Sequence, residues 1–326
     1  MTATVTPPSE APPAVAPAPG RTRRSRRLRD SGTAYLLILP GVLVLGLVAA
    51  WPLTKILLLS LQEQEGGKYA LFHNAGSTPF VGLANFHQVL TDSTFWVVTL
   101  RTGVFTAVNV ALSMLVGIAL AVLLNRVSTW ARVLLVAVLL FVWAVPSTVS
   151  TQVFYWLFSN KYGAVNYVLG LLPGVDMQGH DWFAHPSSGL AVVTLVVVWG
   201  AVPLLAISLH AGISQIPREL IEAARVDGAG PWQVFRVITL PALRSLLVIL
   251  LTLSVIWDFG VFNQIWFMRD GHPEQGYQTL GIYMYSTGIG SSHYNTGAAI
   301  AVLMMLCLVS VMVFYIRLLL RIGDEQ

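Results

Sequence analysis

The residues able to do chemistry in this chain stand in polar interruptions of an apolar sequence. The first group is Glu222, Ala223, Ala224, Asp227 and Gly228, inside PRELIEAARVDGAGPWQVFRVITLP at 217–241. A carboxylate beside two small residues, followed by Asp-Gly, offers a surface that a partner backbone can approach closely. The second group is scattered through the apolar stretches. Asp258 lies between Trp257 and Phe259, followed by Asn263 and Gln264; Gln152, Tyr155 and Trp156 cluster; Asn109 and Ser113 are one helical turn apart. Polar groups inside apolar stretches are costly and usually face a cavity or a partner. Asp258 could bind ligand hydroxyls, pair with Arg101, or serve as a structural cap. Packing between helices is the alternative for each of the others.

Several chemistries are missing. The sequence has no G-x-x-x-x-G-K-[ST] phosphate loop; Gly66-Gly67-Lys68-Tyr69 is a fragment. It has no H-E-x-x-H helix and no G-x-S-x-G elbow. One cysteine, Cys307, excludes an internal disulfide and a cysteine metal site. No cofactor or metal is expected on this chain. His210 reads as a satisfied polar residue rather than a ligand.

The elements that must position these groups are membrane helices. Only 10% of the 326 residues are charged and 55% are hydrophobic. A soluble domain carries about 25% charged residues, so this composition cannot cover a water-facing surface. A span needs about 20 apolar residues. Six segments qualify, at 35–61, 96–124, 131–158, 190–213, 238–261 and 297–320. The first is too long for a signal-peptide core and lacks a small-residue cleavage site. With the N-terminus inside, fourteen of the nineteen basic residues fall on the inner side. Both termini are then cytoplasmic by the positive-inside rule. Residues 1–32 are expected to form a disordered, Pro/Ala-rich tail ending in the cluster Arg21, Arg23, Arg24, Arg26, Arg27 and Arg29. Beside a span, such a cluster anchors topology and contacts anionic lipid; nucleic acid is not expected. Outer loops fall at about 62–95, 159–189 and 262–296. Trp182, Tyr277 and Tyr294 within them suit an interfacial belt or a lid.

Residues 214–241 then lie in a cytoplasmic loop between spans four and five. Ser214 is a plausible cap and Pro217 fits a first helical turn. Glu219 and Glu222 suit the positive end of that helix. Leu220, Ile221 and Ala224 share a face, and Asp227-Gly228 stops the helix. Pro231 starts a second helix with the stripe Trp232, Phe235 and Ile238. Leu240-Pro241 marks the start of span five, because the residue before proline is pushed from helical geometry. On pattern alone, this is either an ordinary amphipathic loop or a coupling element.

The stretch EAARVDGAGPWQVFRVITLP resembles the EAA loop of binding-protein-dependent ABC importer permeases. Glu222, Ala223, Ala224, Asp227, Gly228, Ile238, Leu240 and Pro241 supply the shared pattern. Ile216 to Leu220 is typical of the carbohydrate-uptake branch. Residues 33–322 are similar to maltose- and glycerol-phosphate-type permeases in YLLILPGVLVLGLVAAWPL (35–53), VGLANF (81–86) and WLFSNKYGAVNYVLG (156–170). The chain departs at Ser245, where many relatives carry a proline, and at MRDGHPEQGYQTL (268–280), where many have a glycine-rich turn.

The resemblance implies an all-α, type I importer permease of six transmembrane helices in a bacterial cell membrane. A coupling helix would lie between helices four and five. Its implied partners are an ATPase dimer carrying ATP and magnesium, a second six-span permease, and an extracytoplasmic sugar-binding protein. Lipid surrounds the spans. The foot around Glu222 to Gly228 would dock on the ATPase. Aromatic faces with amide and carboxylate groups suit a sugar, so Asn109, Gln152, Tyr155, Trp257, Asp258, Asn263 and Gln264 are the candidate pathway. IWDFGVFNQIW (256–266) is reminiscent of permeases for disaccharides and amino-sugar oligosaccharides. A glycerol-phosphate importer and an ion-coupled secondary transporter are the alternatives.

Overall fold

The computed structural model describes residues 23–63 and 79–323. Residues 1–22 of the expected tail lie outside them. The chain divides into a unit ending at Lys55 and one beginning at Ile56. The first unit is most of α1 (Arg23–Ser60), so the arginine-rich segment from residue 23, read above as unstructured, is helical.

In the second unit the described residues are helical apart from turns and one isolated bridge between Gln62 and Phe80. Two helices form its centre, α3 (Ser93–Arg126) and α7 (Pro186–Ser214). They approach closely because Gly117 has no side chain; a Cβ there would lie 2.8 Å from Leu205 Cβ. Asp92 caps α3 by accepting the Thr94 N–H at 2.8 Å and the Tyr283 hydroxyl at 3.0 Å. The Thr94 amide holds the Asp92 carboxyl below its ordinary range. The short helix α2 (Ala84–Thr91) carries Asn85, whose amide donates to the carbonyls of Ser60 and Gln62. Asn295 donates to Leu59 and Gln62, so two amides clamp the end of the first span.

The expected third span is not one helix. It is α4 (Thr129–Ala144) and α5 (Ser147–Leu157), bent by 98°. Pro146 is the reason: it cannot donate to the helix ladder, and it holds Val145 extended at φ −70, ψ 126. Residues 159–189 contain a short helix, α6 (Ala164–Gly170).

After α7 come α8 (Arg218–Val226), α9 (Pro231–Val234), a π turn at Phe235–Thr239, α10 (Leu240–Ala242) and α11 (Arg244–Phe259). Leu240 stays helical at φ −64, ψ −44, contrary to expectation. Five residues form the π turn just before Pro241, and the chain instead breaks at Leu243, with a 73° bend. Among the described residues, four helices are long and apolar enough to cross a bilayer, or up to six spans if each bent pair counts as one.

The 262–296 segment, read above as an outer loop, also folds into the body. It holds α12 (Asn263–Met268) and α13 (Leu280–Tyr285), with Ile265, Met268, Leu280 and Ile282 buried in two apolar clusters. The last helix is α14 (Tyr294–Gly323).

Candidate functional site

The foot forms as its residues dictate. Glu219 sits in the first turn of α8 and Arg225 in the last, matching the helix dipole. Ile221 and Ala224 turn partly inward, whereas Glu222, Ala223, Asp227 and Gly228 are exposed. The stop is a two-bond cap. Ala229 N–H donates to Ala224 O at 2.9 Å and Gly228 N–H to Arg225 O at 3.1 Å. That pairing requires a left-handed residue at Gly228, which has φ +81. Ser214 does not cap α8; its hydroxyl donates to His210 O at 2.9 Å, and Pro217 occupies the cap position. The second helix starts at Pro231, with Gly230 N–H donating to Gln233 Oε1 at 2.9 Å. Trp232 stacks on Phe235 at 5.6 Å and is 70% exposed. Leu220, Val226 and Val237 are also exposed, so the foot presents an apolar surface bordered by charge.

The candidate pathway residues separate into two settings. The first is accessible and lies on α5, α11 and α12, of which α12 packs on α5. Tyr155 lies against Phe183 at 5.3 Å and packs on the apolar cluster that includes Val261 and Ile265. Gln152 is exposed on a groove of about 480 Å³ with Thr148, Val149, Val153 and Trp156. Asn263 is exposed, Gln264 half-buried and Trp257 half exposed.

The second setting is buried. Asn109 has no accessible surface; its amide donates to Phe105 O in its own helix, and its Oδ1 has no partner. Asp258 is 4% exposed and its Oδ2 has no partner. Thr106 and Ser113 hydroxyls are likewise buried and unpartnered. Thr106, Asn109 and Ser113 share one face of α3 at i, i+3 and i+7. His210 is not satisfied as expected: its Nδ1 is buried without a partner. Arg101 does not pair with Asp258. Its Nη1 donates to the carbonyls of Gln275 at 2.7 Å and Gln278 at 2.9 Å.

No sequence signal announces the staple formed by Arg269, Glu274 and Tyr277. Arg269 pairs with Glu274 and lies 4.5 Å over the Tyr277 ring. Tyr277 is 2% exposed, so it is no belt residue; its hydroxyl donates to Phe183 O at 2.7 Å and His185 O at 3.0 Å. Gly189 makes room for that hydroxyl, since a Cβ there would lie 2.1 Å from it. The Arg269 guanidinium holds the Glu274 carboxyl below its ordinary range. The Tyr277 contacts to Phe183, His185 and Gly189 join residues far apart in sequence, where no periodicity announces them.

Comparison with known proteins places this arrangement. The profile of the family described as "binding-protein-dependent transport system inner membrane component" matches residues 113–322. The chain is 40% identical over 308 residues to the diacetylchitobiose uptake system permease protein DasB of Streptomyces coelicolor, covering 94% of this chain and 93% of that one. It is 30% identical to the trehalose/maltose transport system permease protein MalF of Thermococcus litoralis, covering 89% and 95%. In fold it is similar to a chain of a bacterial ABC transporter involved in the import of the acidic polysaccharide alginate. That match has TM-score 0.75 and 18% identity, covering 92% of this chain and 99% of the other. The relatives are permease subunits, whose role is passage rather than catalysis. An all-helical body with the EAA foot between its fourth and fifth apolar segments therefore belongs to the family of binding-protein-dependent transport system inner membrane components.

Proposed function

We propose that this chain is one of two non-identical transmembrane subunits of an ATP-driven importer for a di- or oligosaccharide. It crosses a bacterial cell membrane six times with both termini in the cytoplasm. The observation that carries this reading is the exposed, capped foot at 218–234. It is built as a short rigid lever and has no packing role that would account for its bare Trp232 and Val226. The foot around Glu222, Ala223, Ala224, Asp227 and Gly228 docks on a separate ATPase that holds ATP and magnesium. An extracytoplasmic binding protein delivers the sugar. Gln152, Tyr155, Trp257, Asn263 and Gln264 form one wall of the pathway, and a second permease supplies the other. The buried Asn109 and Asp258 contact sugar only in another conformation of the transport cycle.

The substrates named for two relatives, diacetylchitobiose and trehalose or maltose, support a saccharide. An anionic solute such as glycerol phosphate would want a free guanidinium in the pathway, and Arg101 is committed to backbone carbonyls. An ion-coupled transporter would leave the foot without a purpose. The test is mild-detergent purification from the native host followed by transport in vesicles. An ATPase and a second permease should copurify, and uptake should require ATP. Solute movement by this chain alone without ATP would overturn the reading.

A further inference from the structure

We propose that the outer concavity walled by α6 and residues 171–179 is a saccharide-binding subsite outside the intramembrane pathway, an inference that rests on the saccharide-import reading above. The cavity is about 1140 Å³. Small-molecule pockets are usually about 300–1,000 Å³, so a di- or oligosaccharide fits with water to spare. Tyr162 and Tyr167 line it at 78% and 72% exposure, leaving their rings bare. Asn160 and Gln178 add amides, and Lys161 and Asp176 add one charge of each sign. An aromatic face takes the C–H face of a sugar, while amides bond hydroxyls in fixed directions. Balanced charges leave no field to select an anion.

The frame of this cavity is held, so its tyrosines do not hang from a loose loop. Asn166 is buried and uses both ends of its amide, donating to His180 O at 2.8 Å and accepting from Trp182 Nε1 at 2.6 Å. A Cβ on Gly163 would lie 2.2 Å from Ser159 O, so only glycine allows that turn. Asp176 Oδ1 accepts the Gln178 N–H at 3.0 Å and closes the far side. Trp182 also packs on Phe158 at 5.3 Å, immediately after α5. The subsite therefore adjoins the helix that carries Gln152 and Tyr155. It holds sugar weakly at the outer mouth, where release from a binding protein would raise the local concentration.

The test uses the assembled importer in nanodiscs without its binding protein. Maltose, trehalose and diacetylchitobiose are the probes, read by saturation-transfer NMR. Saturation of ring protons of at least one sugar is expected. In the double variant Tyr162→Ala with Tyr167→Ala, loss of two stacking faces should weaken binding about tenfold. An unchanged thermal midpoint would show that the tyrosine variant is folded. Unchanged saturation in that variant would overturn the subsite. A tyrosine variant altered only in affinity for the binding protein would overturn it too, making the surface a protein-docking face. No saturation in wild type, with ATP-driven sugar uptake intact, would remove the subsite and leave the importer reading standing. No ATP-driven uptake of any saccharide would remove both.

Discussion

Gly228 is where the proposed docking foot can be perturbed with the least ambiguity. Its φ of +81 closes the cap of α8, and a Cβ built there meets nothing within 4 Å. A side chain at this position therefore costs conformational energy alone, without a clash. For L-residues the left-handed region costs about 1–2 kcal/mol. Alanine falls at the low end, and valine exceeds it because its branched Cβ crowds the backbone. Asparagine tolerates the conformation. A penalty of about 1–2 kcal/mol lowers the ratio of capped to uncapped foot roughly 5- to 30-fold. The assay is ATP-driven sugar uptake in proteoliposomes holding the ATPase, the partner permease and the binding protein, normalised to inserted chain. Uptake should fall in the order Gly228→Asn, Gly228→Ala, Gly228→Val, with insertion unchanged. Wild-type uptake by Gly228→Val would refute the claim that the left-handed cap positions the docking surface.

The outer staple gives a structural test: Gly189→Ala must displace the Tyr277 hydroxyl, and thermal unfolding should show a loss of about 1–3 kcal/mol. Tyr277→Phe should cost a similar amount, because the buried Phe183 carbonyl and the partly buried His185 carbonyl lose their donor. Glu274 titrates below its ordinary 4.5 in the folded chain. Its pairing with Arg269 thus contributes fully above that value and is lost as pH falls through the lowered one. The difference in thermal midpoint between wild type and Glu274→Gln should be constant from about pH 5 to 8 and vanish in acid. Asp258→Leu removes a buried acceptor that has no partner. It should raise stability by about 1–3 kcal/mol in thermal unfolding while reducing sugar uptake; a loss of stability would mean the carboxylate has a structural role.

The sequence by itself determined the membrane character, the apolar segments and the foot. Each rests on local physics: too few charges for a water-facing surface, runs long enough for a bilayer, and Pro217, Asp227-Gly228 and Pro231 as helix boundaries. The broken third span was half legible, since Pro146 stands in plain view, but hydropathy alone does not register a bend. Leu240-Pro241 misled in the other direction, because a π turn keeps the chain helical up to Leu243. Only the tertiary structure decided which polar residues meet. The helix that carries Asn263 and Gln264 packs on the helix that carries Gln152 and Tyr155, while Asn109 Oδ1 and Asp258 Oδ2 are buried without a partner. Packing also assigns Arg101 to two carbonyls some 175 residues away rather than to Asp258. Helix boundaries follow from neighbours along the chain, whereas a buried polar group finds its partner through packing, and packing joins residues that share no period.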